Sequence, residues 1–125
     1  MQNRAVSPPD LIVVIDDDVA VRNSLKFSLE VEGFEVHAYA EAGTLLDEAE
    51  LPRRGCLIID YNLPGMNGLA ALDTLRRRGV AMPAILITSH PSLAVRARAA
   101  AAGVAIVEKP LLGSALLDAV HDAII

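Results

Sequence analysis

Five short apolar runs recur along this chain, and their spacing limits what it can fold into. They are Leu11–Ile15, Phe34–Tyr39, Cys56–Ile59, Ala84–Ile87 and Val104–Val107, and they begin 20 to 28 residues apart. The first and third are apolar at consecutive positions, which is how a strand covered on both faces reads. The second carries Glu35 and His37 and reads as an edge strand. The segments between them have helical spacing. In 19–32, Val21, Leu25 and Leu29 share a face and Gly33 closes the helix. Segment 41–50 is a shorter helix ended by Pro52. Segment 67–78 starts at Asn67 as N-cap and carries Leu69, Leu72 and Leu75. Segment 92–102 starts at Ser92 and is rich in alanine, and segment 112–124 carries Leu112, Leu116, Ala119, Val120 and Ala123. Strand then helix, five times over, predicts an α/β sandwich with a parallel sheet between two helical layers.

Composition narrows the class. The chain has 125 residues, enough for one domain, and 53% of them are hydrophobic, so a core is available. The net charge of −5 argues against nucleic-acid binding by this chain alone, since phosphate contacts need surplus Lys and Arg. The apolar run Leu11–Ile15 stops at three aspartates, far short of the ~18 residues of a membrane span. The lone Cys56 allows no intramolecular disulfide and suits a reducing compartment. The expectation is a cytoplasmic domain over 11–125 behind a short tail, 1–10, in which Pro8-Pro9 and polar residues have nothing to bury.

In a parallel sheet of this kind the ligand site lies at the carboxyl ends of the strands. The first strand ends in Asp16-Asp17-Asp18, the third at Asp60, the fourth at Thr88 and the fifth near Lys109-Pro110. Converging carboxylates repel one another unless a cation is present. Mg2+ suits one or two carboxylates with waters and a phosphate oxygen, and Asn62 is placed to offer its backbone carbonyl. Asp18, nearest the helix start, reads as an N-cap. Asp60 can act as a nucleophile toward phosphorus, giving an acyl phosphate. Thr88 would donate its hydroxyl to a phosphoryl oxygen, and Lys109 would set an ammonium against the developing charge.

These residues carry a resemblance. The motifs IDDD, DYNLPGMNG around Asp60, ITS and EKP stand in order, and over about residues 10–125 the chain resembles the receiver domain of two-component response regulators. The stretches DDDVAVRNSL and AVRARAAAAG are similar to the nitrogen-fixation regulator branch, whose full-length members carry a C-terminal helix-turn-helix. The resemblance implies a flavodoxin-like (βα)5 sandwich with strand order 2-1-3-4-5. It implies that Asp60 is the phosphoacceptor, that Asp17, Asp60 and the Asn62 carbonyl bind Mg2+ directly, and that Asp16 acts on the metal through water. It makes Lys109 the partner of the phosphoryl group and Thr88 the switch hydroxyl, with a cis peptide between Lys109 and Pro110. The implied role is a phosphorylation-dependent switch, not an enzyme acting on a separate substrate. The implied donor is a histidine kinase or phosphotransfer protein. A homodimer through the face of helix four, strand five and helix five would fit, with Arg96, Arg98, Leu117 and Asp118 exposed on helices four and five.

Two departures stand out. The family usually has an aromatic three residues before the lysine, where this chain has Ile106, and no aromatic occurs after Tyr61. The spacing from Gly103 to Lys109 is also one residue short of the usual one. With Ile106 restricted at χ1, the signal is expected to leave through 89–92 and the fourth helix. His37 and His121 read as surface residues. His90, in the loop after Thr88, reads as a residue that tunes water access to the acyl phosphate. One competing reading is a small Mg2+-dependent phosphatase of the haloacid dehalogenase type, with Asp16 as nucleophile and Asp18 as acid/base. It leaves Asp60 without a role, and the identity of the phosphorylated aspartate discriminates. A flavin carrier would need a Ser/Thr/Gly-rich phosphate loop and stacking aromatics, which the chain lacks.

Overall fold

The computed structural model of the chain describes residues 9–47, 54–111 and 113–124. β1 (Leu11–Ile15) and β3 (Gly55–Asp60) are buried at every position, as expected of strands covered on both faces. β2 (Glu35–Tyr39) pairs with β1 alone and forms one edge, which is why it tolerates exposed His37. After β3 comes a hairpin that no periodicity announced: β4 (Asn62–Leu63) pairs antiparallel with β5 (Met66–Asn67). Pro64 and Gly65 turn it, with Gly65 at φ 80°, as a type II turn requires. β6 (Ala84–Thr88) and β7 (Ala105–Glu108) complete a parallel sheet of order β2-β1-β3-β6-β7. With the hairpin set aside this is the expected order 2-1-3-4-5.

Among the described residues four helices cross over between the strands and a fifth follows the last one. α1 (Val19–Val31) is capped by Asp18, whose carboxylate accepts from the Ala20 and Val21 amides. α2 is Ala42–Asp47, one residue after the expected start at 41; residues 48–50 of the expected helix and Pro52 lie outside the described residues. α3 (Gly68–Arg77) starts at Asn67, whose side chain accepts from the Ala70 amide. α4 (Leu93–Ala101) starts at Ser92, which accepts from the Val95 amide. α5 (Ala115–Ile124) begins three residues later than the expected 112, because Gly113 has φ 69° and cannot sit inside a right-handed helix. The expected tail 1–10 falls mostly outside the described residues, but Asp10 is tied in: its carbonyl accepts from the Glu35 amide at 3.0 Å.

Strand alternation sorts the core into two layers. Val13, Ile15, Leu57, Ile59 and Leu86 meet α2, α3 and α4 on one face, joined by Leu45, Leu75 and Val95. Ile12, Val14, Ile58, Ile85 and Ile87 meet α1 and α5 on the other, through Leu25, Leu29, Leu116 and Val120. Each such side chain contributes on the order of 1.5–3 kcal/mol by leaving water. α3 buries Leu69, Leu72 and Leu75, whereas α4 buries only Val95 and Ala99. α4 is therefore held by less apolar surface. Cys56 lies wholly buried in β3, and burial pushes its thiol up to about 12. Leu117 is not on the exposed surface expected for it. It is half-buried in the layer shared with α1 and lines a cleft of about 600 Å3 between α1 and α5.

One contact links the fold to the strand ends. A Cβ on Gly68 would stand 2.4 Å from the Asp60 carbonyl oxygen and 3.0 Å from Ile59 Cγ2. Only a glycine lets α3 start this close to β3. Gly68→Ala should lower stability by about 1–3 kcal/mol, the usual cost of overpacking, seen as a lower urea midpoint at unchanged slope. A midpoint equal to that of the parent chain would contradict the close approach.

Candidate functional site

Sheet register brings the expected residues to one edge. β1 and β3 run side by side with Ile15 opposite Ile59, so Asp16 and Asp60 leave the sheet as neighbours. β6 lies beside β3 with Ile87 opposite Asp60, and Thr88 pairs with Glu108 on β7, one residue before Lys109. Asp16 is 0% and Asp60 3% exposed. Asp17 is exposed in the turn that follows β1.

Lys109 Nζ joins the two buried acids. It lies 3.0 Å from Asp60 Oδ2 and 3.2 Å from Asp16 Oδ2. Burial alone pulls the Lys109 ammonium down, but the hydrogen bond to Asp60 and the charges of Asp60 and Asp16 outweigh it and hold its pKa above the usual lysine value. Burial raises the Asp16 carboxyl. The Asp18 amide and the Lys109 charge pull it down, the Asp60 charge pushes it further up, and the net direction is upward. The remaining oxygens are held from the backbone: Asp16 Oδ1 accepts from the Asp18 amide at 2.9 Å and Asp60 Oδ1 from the Asn62 amide at 3.1 Å.

Carboxylate oxygens of Asp16, Asp17 and Asp60 lie within 4.8 Å of one another. Asp16 Oδ2 is buried and has no hydrogen-bond partner despite the nearby ammonium. An all-oxygen, acid-rich donor set with one unsatisfied buried oxygen fits a hard divalent cation. Asn62 stands beside Asp60 through its amide. Thr88 is buried, and its hydroxyl reaches the Ser89 carbonyl only at 3.5 Å, too long to hold it firmly.

Other expected residues lie apart from this cluster. Asp18 is spent on capping α1, so it is not placed as an acid/base partner for Asp16. His37 contacts Glu35 and His121 stacks at a tilt on Phe34, both on the surface. His90 is exposed in the loop after Thr88 at φ 47°, a left-handed conformation uncommon outside glycine. One residue escaped the sequence reading. Arg22 Nη1 donates to the Asp16 carbonyl at 2.8 Å, and only its position six residues past the strand end, early in a helix, could have signalled this.

The comparisons agree with the geometry. Residues 12–121 match the response regulator receiver domain family. The transcriptional regulatory protein FixJ of Azorhizobium caulinodans is 39% identical over 86% of this chain and 52% of its own length. Nodulation protein W of Bradyrhizobium diazoefficiens is 34% identical over 88% of this chain and 49% of its own. The chain thus spans about half the length of these curated relatives. Among solved structures, a CheY-like receiver domain protein of Methanospirillum hungatei superposes with a TM-score of 0.82 at 31% identity, covering 91% of this chain and 92% of that one. The match gives no support to the phosphatase reading. With its acids, threonine and lysine gathered at the ends of four parallel strands, and with the match running through nearly all of them, this chain belongs to the response regulator receiver domain family.

Proposed function

We propose that this chain is a phosphorylation-dependent signalling switch whose phosphoacceptor is Asp60 and whose cation is Mg2+, held by Asp16, Asp17 and Asp60 with the Asn62 carbonyl. The observation that carries the reading is the Lys109 ammonium set 3.0 Å from Asp60 Oδ2 and 3.2 Å from Asp16 Oδ2. A carboxylate so placed stands anchored at a strand end with a cation against it. The donor would be a phosphohistidine of a kinase or phosphotransfer protein. An Asp60 oxygen attacks phosphorus, the P–N bond breaks, and the imidazole leaves and takes up a proton from solvent. Bound Mg2+ supplies positive charge to the transferring oxygens. Lys109 neutralises charge on the same group, and Thr88, loosely held, is free to turn its hydroxyl toward a phosphoryl oxygen.

The chain acts on itself and has no separate substrate, so we read it as a signalling module and not as an enzyme, working in the cytoplasm. FixJ relatives are named transcriptional regulators, and we assign this domain, 11–125 behind the 1–10 tail, the input half of such a protein. With a net charge of −5 it would leave DNA contact to another domain.

Phosphorylation replaces the single charge of the Asp60 carboxylate with about two negative charges on a phosphoryl group. α4 is the element best placed to respond. It buries only Val95 and Ala99, and its Arg96–Glu108 ion pair is half-exposed, which places its worth at roughly 0.2–1 kcal/mol. Arg96, Arg98 and the neighbouring surface of β7 and α5, Asp118 included, form the proposed partner or dimer face.

Acetyl phosphate with Mg2+ should add one base-labile phosphoryl group, read by intact mass, and Asp60→Asn should abolish it. A label that survives in Asp60→Asn sinks the assignment. Asp17→Ala or a chelator should remove labelling as well. Comparing beryllofluoride-bound and free protein by backbone NMR should show large shifts over 89–98 and smaller ones at Ile106. The reverse pattern would show that the signal leaves through β7.

The charge balance gives a pH test. A carboxyl whose folded pKa stands above its unfolded 3.8 binds more protons in the folded state, so stability falls as pH rises from about that value through the folded pKa. Asp16→Asn should flatten this fall in urea melts without Mg2+, and saturating Mg2+ should offset it in the parent chain. A fall that is identical in Asp16→Asn would assign it to another group.

A further inference from the structure

The first turn beyond β1 is braced by the Arg22 guanidinium. Asp16 is anchored by three hydrogen bonds besides its ion pair with Lys109. Its amide donates to the Tyr39 carbonyl at 3.1 Å in continuation of the sheet ladder. Its Oδ1 accepts from the Asp18 amide at 2.9 Å. Its carbonyl, which lies past the end of β1, accepts from Arg22 Nη1 at 2.8 Å. The first two bonds fix the residue and one carboxylate oxygen. The third fixes the peptide plane joining Asp16 to Asp17, and that plane sets where the exposed Asp17 carboxylate stands relative to the buried pair. Arg22 is itself immobilised at its backbone, since its amide donates to the Asp18 carbonyl at 3.0 Å in the first turn of α1. The helix that Asp18 caps thus returns a charged donor to the strand end from which it departs.

From this arrangement we infer that Arg22 is a positioning residue for the cation site: its guanidinium, bonded to the Asp16 carbonyl, orients the Asp16–Asp17 peptide so that the two carboxylates and Asp60 converge. The inference rests on the functional reading above. Its distinguishing mark is that it acts on the affinity for the cation and not on the phosphoryl step. Removing the donor leaves the Asp16 carbonyl to water, and the turn then samples orientations in which Asp17 points elsewhere. A hydrogen bond from a charged donor is stronger than a neutral one, but the Arg22 side chain is half-exposed, so a moderate effect is expected.

The test is a Mg2+ titration followed at backbone amides of the 16–18 turn, together with acetyl phosphate labelling across Mg2+ concentrations, for the parent chain, Arg22→Met and Arg22→Lys. Methionine keeps most of the aliphatic stem and loses the donor, while lysine restores a charged donor. Arg22→Met should weaken Mg2+ binding about five-fold, the ratio that ~1 kcal/mol produces. Its labelling rate should return to the parent value at saturating Mg2+. Arg22→Lys should recover most of the affinity. In the metal-free chains, exchange of the Asp18 amide should be faster in Arg22→Met. Unchanged Mg2+ affinity in Arg22→Met, or a lysine variant as weak as the methionine one, overturns the assignment. If the parent chain neither binds Mg2+ nor labels, the functional reading fails instead. The Asp18 exchange rates then decide for Arg22 alone: faster exchange in Arg22→Met upholds the positioning role, and equal exchange removes it.

Discussion

Two carboxylates at the end of a buried sheet can stay charged only if something positive is brought to them, and here that group is the Lys109 ammonium. It reaches Asp60 from the end of β7, two strands beyond β3, and lies against Asp16 as well. Burial drives Asp16 toward its neutral form, and Lys109 answers that drive only in part, since Asp16 Oδ2 remains without a hydrogen bond. The site is therefore short of positive charge by design of its geometry. That shortage suits the proposed uptake of a dication and then a phosphoryl group, because the first arrival would make the second easier.

How much of this could be read beforehand depended on how strongly each element constrains its residues. β1 and β3 were legible because strands covered on both faces leave unbroken apolar runs. The acids at their ends stood out for the same reason, being the first polar residues after such a run. The hairpin of β4 and β5 has two residues per strand and therefore no period to detect, although Pro64-Gly65 marks its turn. The late start of α5 followed from a backbone angle at Gly113 that apolar spacing does not encode. Leu117 was set on the wrong surface because a short amphipathic helix offers two partly apolar sides, and only packing against α1 selects between them. Arg22 was missed because an arginine in a helix usually reads as a solvated charge, and its partner is a carbonyl, which no side-chain pattern reveals.

The molecule divides its rigidity unequally. Gly68 allows α3 to rest against the Asp60 backbone, and Leu69, Leu72 and Leu75 fasten that helix to the sheet. Across the same layer α4 rests on a valine and an alanine. A change of charge at Asp60 thus meets a stiff wall on one side and a yielding one on the other. Ile106 packs against the core and lacks a polar end, which is consistent with the proposed route through the yielding side.

Cys56 gives this arrangement a chemical consequence. A thiol pushed to about 12 exists as thiolate in roughly one molecule in 100,000 at pH 7. It is also sealed within β3, the central strand of the sheet. Peroxides and alkylating reagents act on accessible thiolate, so Cys56 is shielded from both. A cysteine introduced at a surface position would be the thiol that a maleimide probe finds.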